Sequence, residues 1–367
     1  MSALFLYGTL RHLPHLEVVA GGLDGVTVTE AALPDHSVRA CGPFMLPVLV
    51  PDPGASAPGI VLQGLSQRQR DRLDFYEDGY DYTTDNRVLH GGLHADVYIP
   101  PASAGAPRQP WTLEDWAPRF ADLMTMAARE VMMYHGRLSP VEVAARIQAI
   151  RARAGAKLRA AASHHGAGTL RGAVQIDRHH RAYADFYALD EYTLRHETFS
   201  GGMTEPLRRA VFIANDAAIV LPYDPVRDRV LLVEQIRLGP IGRGDQALWQ
   251  LEPVAGRVDG GETPQEAAYR ETLEEAGLAL RDLVPVAQTY ASPGNATEFH
   301  YIYVGLADLP DEAAGFGGAA EEGEDIKAHI LPFDRLMEMT RRFEAANAPL
   351  VLAALWLAGQ RDRLRGL

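Results

Sequence analysis

The sequence predicts a two-domain protein, in which a strand-rich N-terminal domain precedes a C-terminal domain of the α/β or α+β class. The chain has 367 residues, and roughly 150 residues per domain is the usual size. Residues 1–110 place short apolar runs between Gly and Pro, as strands do. Later residues alternate strand-like runs with helical patterns. The sequence AAASHHGAG at residues 160–168 is small and polar, and we interpret it as the linker.

The elements of the first half follow from local patterns. Strands are expected at the apolar runs 4–7, 44–50, 59–62 and 96–99. Apolar spacing predicts a helix over residues 115–134. Ser139 and Glu142 flank Pro140 as a capping box, so a second helix is expected from there to about Arg153, with Gly155 ending or interrupting it. The predicted domains are therefore 1–110, a helical extension and linker at 111–165, and 166–367.

Strand-like runs continue in the second half, at residues 211–213, 217–221, 229–234, 284–290 and 300–304. A helical end is expected from residue 332 to about 364. Thr263, Pro264 and Glu266 form another capping box, and Gly277 is a typical C-terminal stop. These signals predict a helix over residues 264–276.

Composition excludes several classes of function. The net charge of −13 argues against a nucleic-acid surface or an anionic membrane surface. Cys41 is the only cysteine, so no internal disulfide is possible and the cytoplasm is the expected location. No stretch reaches 18 apolar residues, so no membrane span is expected. The first residues, MSALFLYGTLRH, lack a basic n-region and are interpreted as a strand and not a signal peptide.

Three glutamates crowd one side of the predicted helix 264–276. Glu271, Glu274 and Glu275 are spaced i, i+3, i+4 and share a face, with no Lys or Arg between them. A glycine-rich loop, residues 254–261, leads into the helix. One interpretation is a solvated acidic face; the other is a site for a hard divalent cation, which takes oxygen ligands and removes the repulsion. The opposite face, which is expected to pack inward, holds Tyr269, Thr272, Leu273 and Ala276.

The spacing of this segment resembles the Nudix box. Gly256 is followed after five residues by Glu262, and after seven more by Arg270-Glu271; the match ends at Leu278. Thr272 fills a slot that is usually hydrophobic. Residues 170–367 as a whole resemble bacterial ADP-ribose pyrophosphatases of the Nudix superfamily, in stretches such as FSGGMTEPLRRAVF, LEPVAGRVDGGE and EEGEDIKAHI. The resemblance implies an α/β/α sandwich with a mixed sheet.

The same resemblance implies the parts of an active site. Mg²⁺, or Mn²⁺, would be held by Glu271, Glu275 and the backbone carbonyl of Ala255, with Glu274 nearby, while Glu262 and Arg270 pair to fix the loop. The remaining roles fall on a second acidic loop and on the substrate contacts. Glu322 would be the general base, and Glu324 would be an extra metal ligand. Arg209 and Arg237 would bind the phosphates or the terminal ribose of the substrate. Phe186 would stack on the adenine ring. The family pattern has a glutamate where this chain has Ala210.

The N-terminal domain resembles the γ-glutamylcyclotransferase-like family. The residues that carry this are LFLYGTLR near the start, CGPFMLPVLVP, and RLDFYEDGYDY around Glu77. The resemblance, over about residues 3–100, implies a small β-barrel-like domain. Glu77 would take a proton from the attacking amine, and the substrate would be cradled by Tyr7, Gly8, Thr9 and Leu10. Asp81 stands where the family often has Arg, so the alternative is a binding or assembly module.

The sequence thus predicts Mg²⁺-dependent hydrolysis of the diphosphate of ADP-ribose to AMP and ribose 5-phosphate. Alternatives are another nucleoside diphosphate sugar or NADH as substrate, and a ligand sensor that no longer turns over. A homodimer through the Nudix half is expected from the resemblance and from the aromatic-rich segment YADFYALDEYTLRHE. Related proteins are linked to tellurite resistance, which implies no particular chemistry.

Overall fold

The computed structural model describes residues 2–101, 109–163, 166–318, 323 and 325–366. The chain forms two compact units, Met1–Gly166 and Ala167–Leu367, hereafter unit 1 and unit 2. The predicted domain limits 1–110, 111–165 and 166–367 stay a prediction. No helix formed by the described residues is long and apolar enough to cross a membrane.

In its described residues, unit 1 consists of a five-stranded sheet and five α-helices. Its strands are β1 Ala3–Leu6, β2 Thr27–Cys41, β3 Leu46–Gln63, β4 Thr83–Val88 and β5 His94–Ile99. Its helices are α1 Leu13–Ala20, α2 Gln67–Asp78, α3 Leu113–Met133, α4 Pro140–Ala144 and α5 Ile147–Ala162, and a 3₁₀ turn spans Thr9–Arg11.

The sheet of unit 1 has the order β2-β3-β1-β5-β4, in which only β1 and β5 run parallel. In the described part of the chain its two end strands do not pair, so the expected barrel-like shape is corrected to an open sheet. The core joins the sheet to α3: Phe5, Val61 and Val97 pack with Trp116 and Phe120. The helical segment after residue 110 is therefore part of this core.

Helix α5 corrects one prediction. Gly155 was expected to end or interrupt the second helix, but α5 continues through it to Ala162, while the break falls earlier, between α4 and α5. Gly155 is buried, and α3 is the helix that α5 packs against. Tertiary packing of this kind outweighs the ~1 kcal/mol that a glycine costs inside a helix.

Unit 2 contains eleven strands and four α-helices among its described residues. Its strands are β6 Val174–Ala184, β7 Ala188–His196, β8 Leu207–Ile213, β9 Ala217–Asp224, β10 Arg229–Ile236, β11 Trp249–Glu252, β12 Val254–Arg257, β13 Asp282–Tyr290, β14 Phe299–Leu306, β15 Phe316–Gly317 and β16 Ile326–Pro332. Its helices are α6 Leu238–Arg243, α7 Pro264–Ala276, α8 Phe333–Arg341 and α9 Ala348–Arg365. The helical end predicted from residue 332 is thus two helices, because the chain turns at Phe343, whose φ is 59°.

A mixed sheet of the order β13-β14-β9-β10-β16-β15 forms the centre of unit 2, with β11 on β10 and β12 on β9. Strand β9 alternates between two cores. Ala218 and Val220 pack on the α7 side, whereas Ile219 and Leu221 pack on the side of α8 and α9. Helices on both faces explain why this strand is apolar from residue 217 to residue 222, and the predicted α/β/α sandwich is confirmed.

A separate antiparallel sheet, β6-β7-β8, precedes the sandwich. It leaves several large apolar side chains in contact with solvent. Those more than a third exposed are Val174, Ile176, Tyr183, Leu189 and Phe212.

Candidate active sites

The glycine-rich loop of unit 2 is packed directly onto helix α7. A Cβ atom added to Gly256, in β12, would lie 1.8 Å from Cδ of Glu271, so a larger residue there would displace the Glu271 carboxylate. Helix α7 begins with the capping box of Thr263 and Glu266, and ends at Gly277 with a φ of 62°. The predicted bounds of this helix are correct, and they place the loop and the glutamates side by side.

Arg270 clamps this arrangement. Its Nη2 donates to Oε1 of Glu262 at 2.7 Å and to the carbonyl of Arg257 at 3.0 Å. Its Nη1 donates to Glu271 at 2.6 Å and to Glu274 at 3.0 Å. Burial disfavours the guanidinium cation, but the hydrogen bond to Glu262 and the charge of Glu271 raise the pKa of Arg270 above its ordinary value. The expected absence of a cation beside these glutamates is wrong, since Arg270 partly neutralises two of them.

The faces of α7 differ from the prediction. Its buried residues are Ala267, Ala268, Thr272 and Glu275, whereas Tyr269 and Leu273 are 43% and 59% exposed. The hydroxyl of Thr272 donates to the carbonyl of Ala268 at 2.7 Å, which accommodates a polar residue in a hydrophobic slot.

Glu275 is only 3% exposed and accepts a hydrogen bond from the backbone N–H of Ala255 at 3.2 Å. This contact brings together two of the groups named as metal ligands. Carboxylates beside a backbone turn are the donor chemistry of hard divalent cations. No three His, Cys, Asp or Glu side chains of the described residues are already gathered around a metal position. Glu322 and Glu324, the predicted base and further ligand, lie outside the described residues.

The two candidate phosphate-binding arginines are held in different ways. Arg237 donates to Glu252 at 2.7 Å, and Glu252 in turn accepts from Asn347 at the start of α9. Arg209 lies exposed on β8, where its Nη1 donates to the carbonyl of Arg208 at 2.8 Å. One is therefore oriented by an ion pair, whereas the other is solvent-facing.

Phe186 lies in the turn between β6 and β7 and is 50% exposed. The guanidinium of Arg257, from the glycine-rich loop, lies 5.1 Å from the centre of its ring. Tyr187 meets Phe186 edge-on at 4.8 Å and lies 4.9 Å from Phe212. The first sheet thus delivers an aromatic ring to the loop. Sequence reasoning missed Arg257 and Tyr187, for which no spacing signal exists.

A cavity of about 60 Å³ in unit 1 brings together all the residues predicted there. It is lined by the loop Tyr7, Gly8, Thr9 and Leu10, and by Glu77. Gly8 is required because a Cβ would lie 2.6 Å from Pro47 Cγ, and not because of its φ.

Glu77 has unusual acid–base properties. Burial, together with the charges of Asp78 and Asp74, raises the pKa of its carboxyl to about 8. The group is therefore a neutral acid near pH 7 and becomes a base only in more alkaline solution. Perturbed carboxyls in a cavity are frequent at active sites.

The rest of this cavity combines four tyrosines and a histidine with apolar side chains. Tyr98 donates to Asp74 at 2.7 Å, and its carbonyl accepts from Tyr7 at 2.9 Å. The polar lining residues that sequence reasoning missed are His15, Tyr76, Tyr80, Tyr82 and Tyr98. The density of tyrosines in YEDGYDY is the only signal that could have indicated three of them.

The fold and the clamped loop define the class of unit 2 as an α/β/α domain that presents an acidic helix beside a glycine-rich turn. Comparison with known families assigns both units. Residues 214–353 match the NUDIX domain, and residues 4–118 match the γ-glutamyl cyclotransferase, AIG2-like family. The chain belongs to the Nudix family, and it carries an AIG2-like domain in unit 1.

Curated relatives cover the Nudix part. An ADP-ribose pyrophosphatase of Escherichia coli (strain K12) is 39% identical over 184 residues, which is 50% of this chain and 87% of that protein. An ADP-ribose pyrophosphatase of Haemophilus influenzae is 34% identical over 48% of this chain and 81% of that protein. A GDP-mannose pyrophosphatase of Salmonella paratyphi B is 32% identical, over 45% and 87% respectively.

Proposed function

We propose that unit 2 hydrolyses the diphosphate of ADP-ribose to AMP and ribose 5-phosphate, with Mg²⁺ as the cofactor and Mn²⁺ as a substitute. The observation that carries the proposal is the clamped loop and acidic helix, in a chain that is 39% identical to an ADP-ribose pyrophosphatase over 184 residues. Water attacks one phosphorus, and the bond between that phosphorus and the bridging oxygen breaks.

The proposed metal site uses the carboxylates of Glu271 and Glu275 and the carbonyl of Ala255, with Glu274 close by and Glu324 as a further ligand. Held by these residues, Mg²⁺ would supply Lewis-acid activation of the diphosphate and of the attacking water. Arg270 keeps the loop on the helix through Glu262 and Arg257. Its contacts to Glu271 and Glu274 are the ones that a cation would replace.

The remaining roles are those that the family resemblance implies for the matching residues of this sequence. Glu322 is proposed as the base that removes a proton from the attacking water. Arg237, oriented by Glu252, and Arg209 on β8 bind phosphate or ribose oxygens. Phe186 stacks on adenine, supported by its exposed ring beside the glycine-rich loop.

The test is release of AMP by the purified full chain, with and without Mg²⁺, across a panel of ADP-ribose, GDP-mannose, NADH and other nucleoside diphosphate sugars. GDP-mannose is included because a pyrophosphatase for it is 32% identical to this chain. We expect the highest kcat/KM with ADP-ribose. A higher kcat/KM with another compound of the panel would identify that compound as the preferred substrate. Binding without turnover of any compound would support the ligand-sensor alternative.

We further propose a homodimer through unit 2, in the cytoplasm, with an adenine pocket built from both subunits. The observation that favours it is the row of exposed apolar side chains on the β6-β7-β8 sheet, such as Ile176 at 57% and Tyr183 at 59%. Light scattering at micromolar concentration tests it. Ile176→Asp should give monomers, whereas Val226→Asp, at an equally accessible site 74% exposed in a turn, should not. A fully active wild-type monomer contradicts the proposal.

The cavity of unit 1 favours a second activity, cyclisation of a γ-glutamyl amine. The α-amine attacks the γ-amide carbon, the bond to the leaving amine breaks, and 5-oxoproline and a free amine result. Glu77 takes the proton of the attacking amine. Because the pKa of Glu77 is raised to about 8, the rate should climb with pH up to about that value. Release of 5-oxoproline from γ-glutamyl amines between pH 6 and 9 tests this; absence of product would leave unit 1 as a binding module.

A further inference from the structure

A chain of polar side chains runs from α5 to α1 along one wall of the cavity in unit 1. Arg151 Nη2 lies 3.4 Å from the hydroxyl of Tyr80. The ring centres of Tyr80 and Tyr76 lie 5.9 Å apart, and the hydroxyl of Tyr76 lies 3.1 Å from Nε2 of His15. Tyr80, Tyr76 and His15 all line the cavity, whereas Arg151 lies behind Tyr80.

Arg151 is a buried cation that pairs with no carboxylate among the residues that the structure describes. It is 5% exposed, and its guanidinium lies 4.6 Å from the ring centre of Phe44. Among the described residues its Nε has no hydrogen-bond partner, and no carboxylate forms an ion pair with it. Arg153, two residues further on, is equally buried but is paired with Glu130 at 2.7 Å. Burying an unpaired charge is costly. A negatively charged group near Arg151 would offset this cost.

The hydrogen-bond donors of these four side chains support the same conclusion. Burial lowers the pKa of His15 to about 3, so the ring is neutral and carries one hydrogen. Arginine can only donate, so its contact with Tyr80 uses none of the hydrogens of the other three groups. Tyr80, Tyr76 and His15 each hold one hydrogen, and the contact between Tyr76 and His15 uses only one of the three. Whichever way that contact points, the hydroxyl of Tyr80 and one further donor have no acceptor among the described residues, and Nδ1 of fully buried His15 has no partner there either.

We propose that this wall binds the carboxylate group of a small ligand in the cavity, with the spare hydrogen of the chain donated to the ligand and Arg151 supplying the countercharge through Tyr80. Arg151 is a positioning residue, because it reaches the cavity only through the tyrosine. It lies in α5, outside residues 4–118 that match the cyclotransferase family. The helical segment therefore contributes to ligand recognition as well as to the core.

The choice of probe rests on the cyclotransferase activity proposed for unit 1; the inference itself concerns binding. Calorimetric titration of the full chain compares 5-oxoproline with its carboxamide, which has the same ring but no charge. We expect the wild type to bind the acid at least about tenfold more tightly, the scale of a charge-assisted hydrogen bond. Arg151→Met should reduce this ratio to less than about threefold. Lys157→Met, which removes an exposed cation from the same helix, should leave the ratio unchanged.

Tyr80→Phe is the second variant, since it keeps Arg151 and the aromatic ring and removes only the link. Tyr80→Phe should lower the ratio of affinities for the acid and the carboxamide as Arg151→Met does, with little change in affinity for the carboxamide. If Arg151→Met does not fold, Tyr80→Phe alone tests the inference. Equal binding of acid and carboxamide by the wild type, binding of neither, or an unchanged ratio in Tyr80→Phe overturns the inference. Preference for the acid without any cyclisation of γ-glutamyl amines sustains the inference and refutes only the proposed activity.

Discussion

Replacing Glu77 by Gln should stabilise unit 1 at neutral pH while removing any cyclotransferase activity. The carboxyl has a pKa of about 8 in the folded chain, against an ordinary value of 4.5. Below pH 4.5 the group is protonated in both states and costs nothing. Between pH 4.5 and 8 the unfolded chain ionises while the folded one keeps its proton, so stability falls by about 1.4 kcal/mol per pH unit. At pH 7 the loss amounts to roughly 3 kcal/mol, since 2.5 units separate this pH from 4.5.

Glutamine has no proton to lose, so the variant escapes this penalty. Urea-dependent hydrogen exchange of peptides from β1 and α2, read between pH 5 and 8, reports on unit 1 without interference from unit 2. The gain of Glu77→Gln over the wild type should grow with pH and level off above about pH 8. Asp71→Asn, on the exposed side of the same helix, is the matched control and should show no such trend.

Two results would refute the reasoning. One is a wild-type unit 1 that becomes more stable from pH 5 to 8, and the other is a gain in Glu77→Gln that does not depend on pH. Hydrolysis of ADP-ribose by unit 2 should be unchanged in the variant, because distant sites in separate cores behave additively. A tenfold loss of hydrolysis would show that the two units are coupled.

Three further predictions concern unit 2. Glu271→Gln and Glu275→Gln should each abolish Mg²⁺-dependent turnover but leave the fold intact by circular dichroism, whereas Glu266→Gln, which preserves the capping box, should stay active; wild-type-like turnover in either of the first two contradicts the metal-ligand assignment. Glu322→Gln should lower kcat by about 100-fold with substrate binding retained, and an unchanged kcat would exclude it as the base. Gly256→Ala should displace the Glu271 carboxylate and lower Mg²⁺-dependent turnover, because its Cβ would lie 1.8 Å from Cδ of Glu271; unchanged turnover would contradict a role for that carboxylate position in the proposed metal site.

Local signals in the sequence predicted helix α7 correctly, because the cap at Thr263 and the stop at Gly277 act within a few residues. The buried face of α7 was predicted correctly at Thr272 and Ala276 but wrongly at Tyr269 and Leu273. Hydrophobicity favoured Tyr269 and Leu273 as inward, but the helix packs through the small residues Ala267 and Ala268. Large side chains at those positions would separate the helix from the sheet, which no helical periodicity reveals.

The cavity of unit 1 shows the same limit. Glu77 and the loop at Gly8 are recognisable from short motifs, and the structure does bring them together. The wall formed by His15 and Tyr76 joins residues 61 positions apart, and Arg151 comes from a helix still further along the chain. Such contacts depend on how α1, α2 and α5 pack, and spacing along the sequence carries no trace of them.

On the proposed metal assignment, a divalent cation would have to exchange with Arg270 at the acidic helix of unit 2. The guanidinium already neutralises Glu271 and Glu274. The binding free energy of a divalent ion is therefore only the difference between its own attraction to these carboxylates and that of Arg270. The other two contacts of Arg270, to Glu262 and to the carbonyl of Arg257, can persist while the metal binds, and they hold the loop in place. Occupancy by metal should therefore respond to whatever adds negative charge nearby. A diphosphate substrate does so, and it would draw the ion in with it.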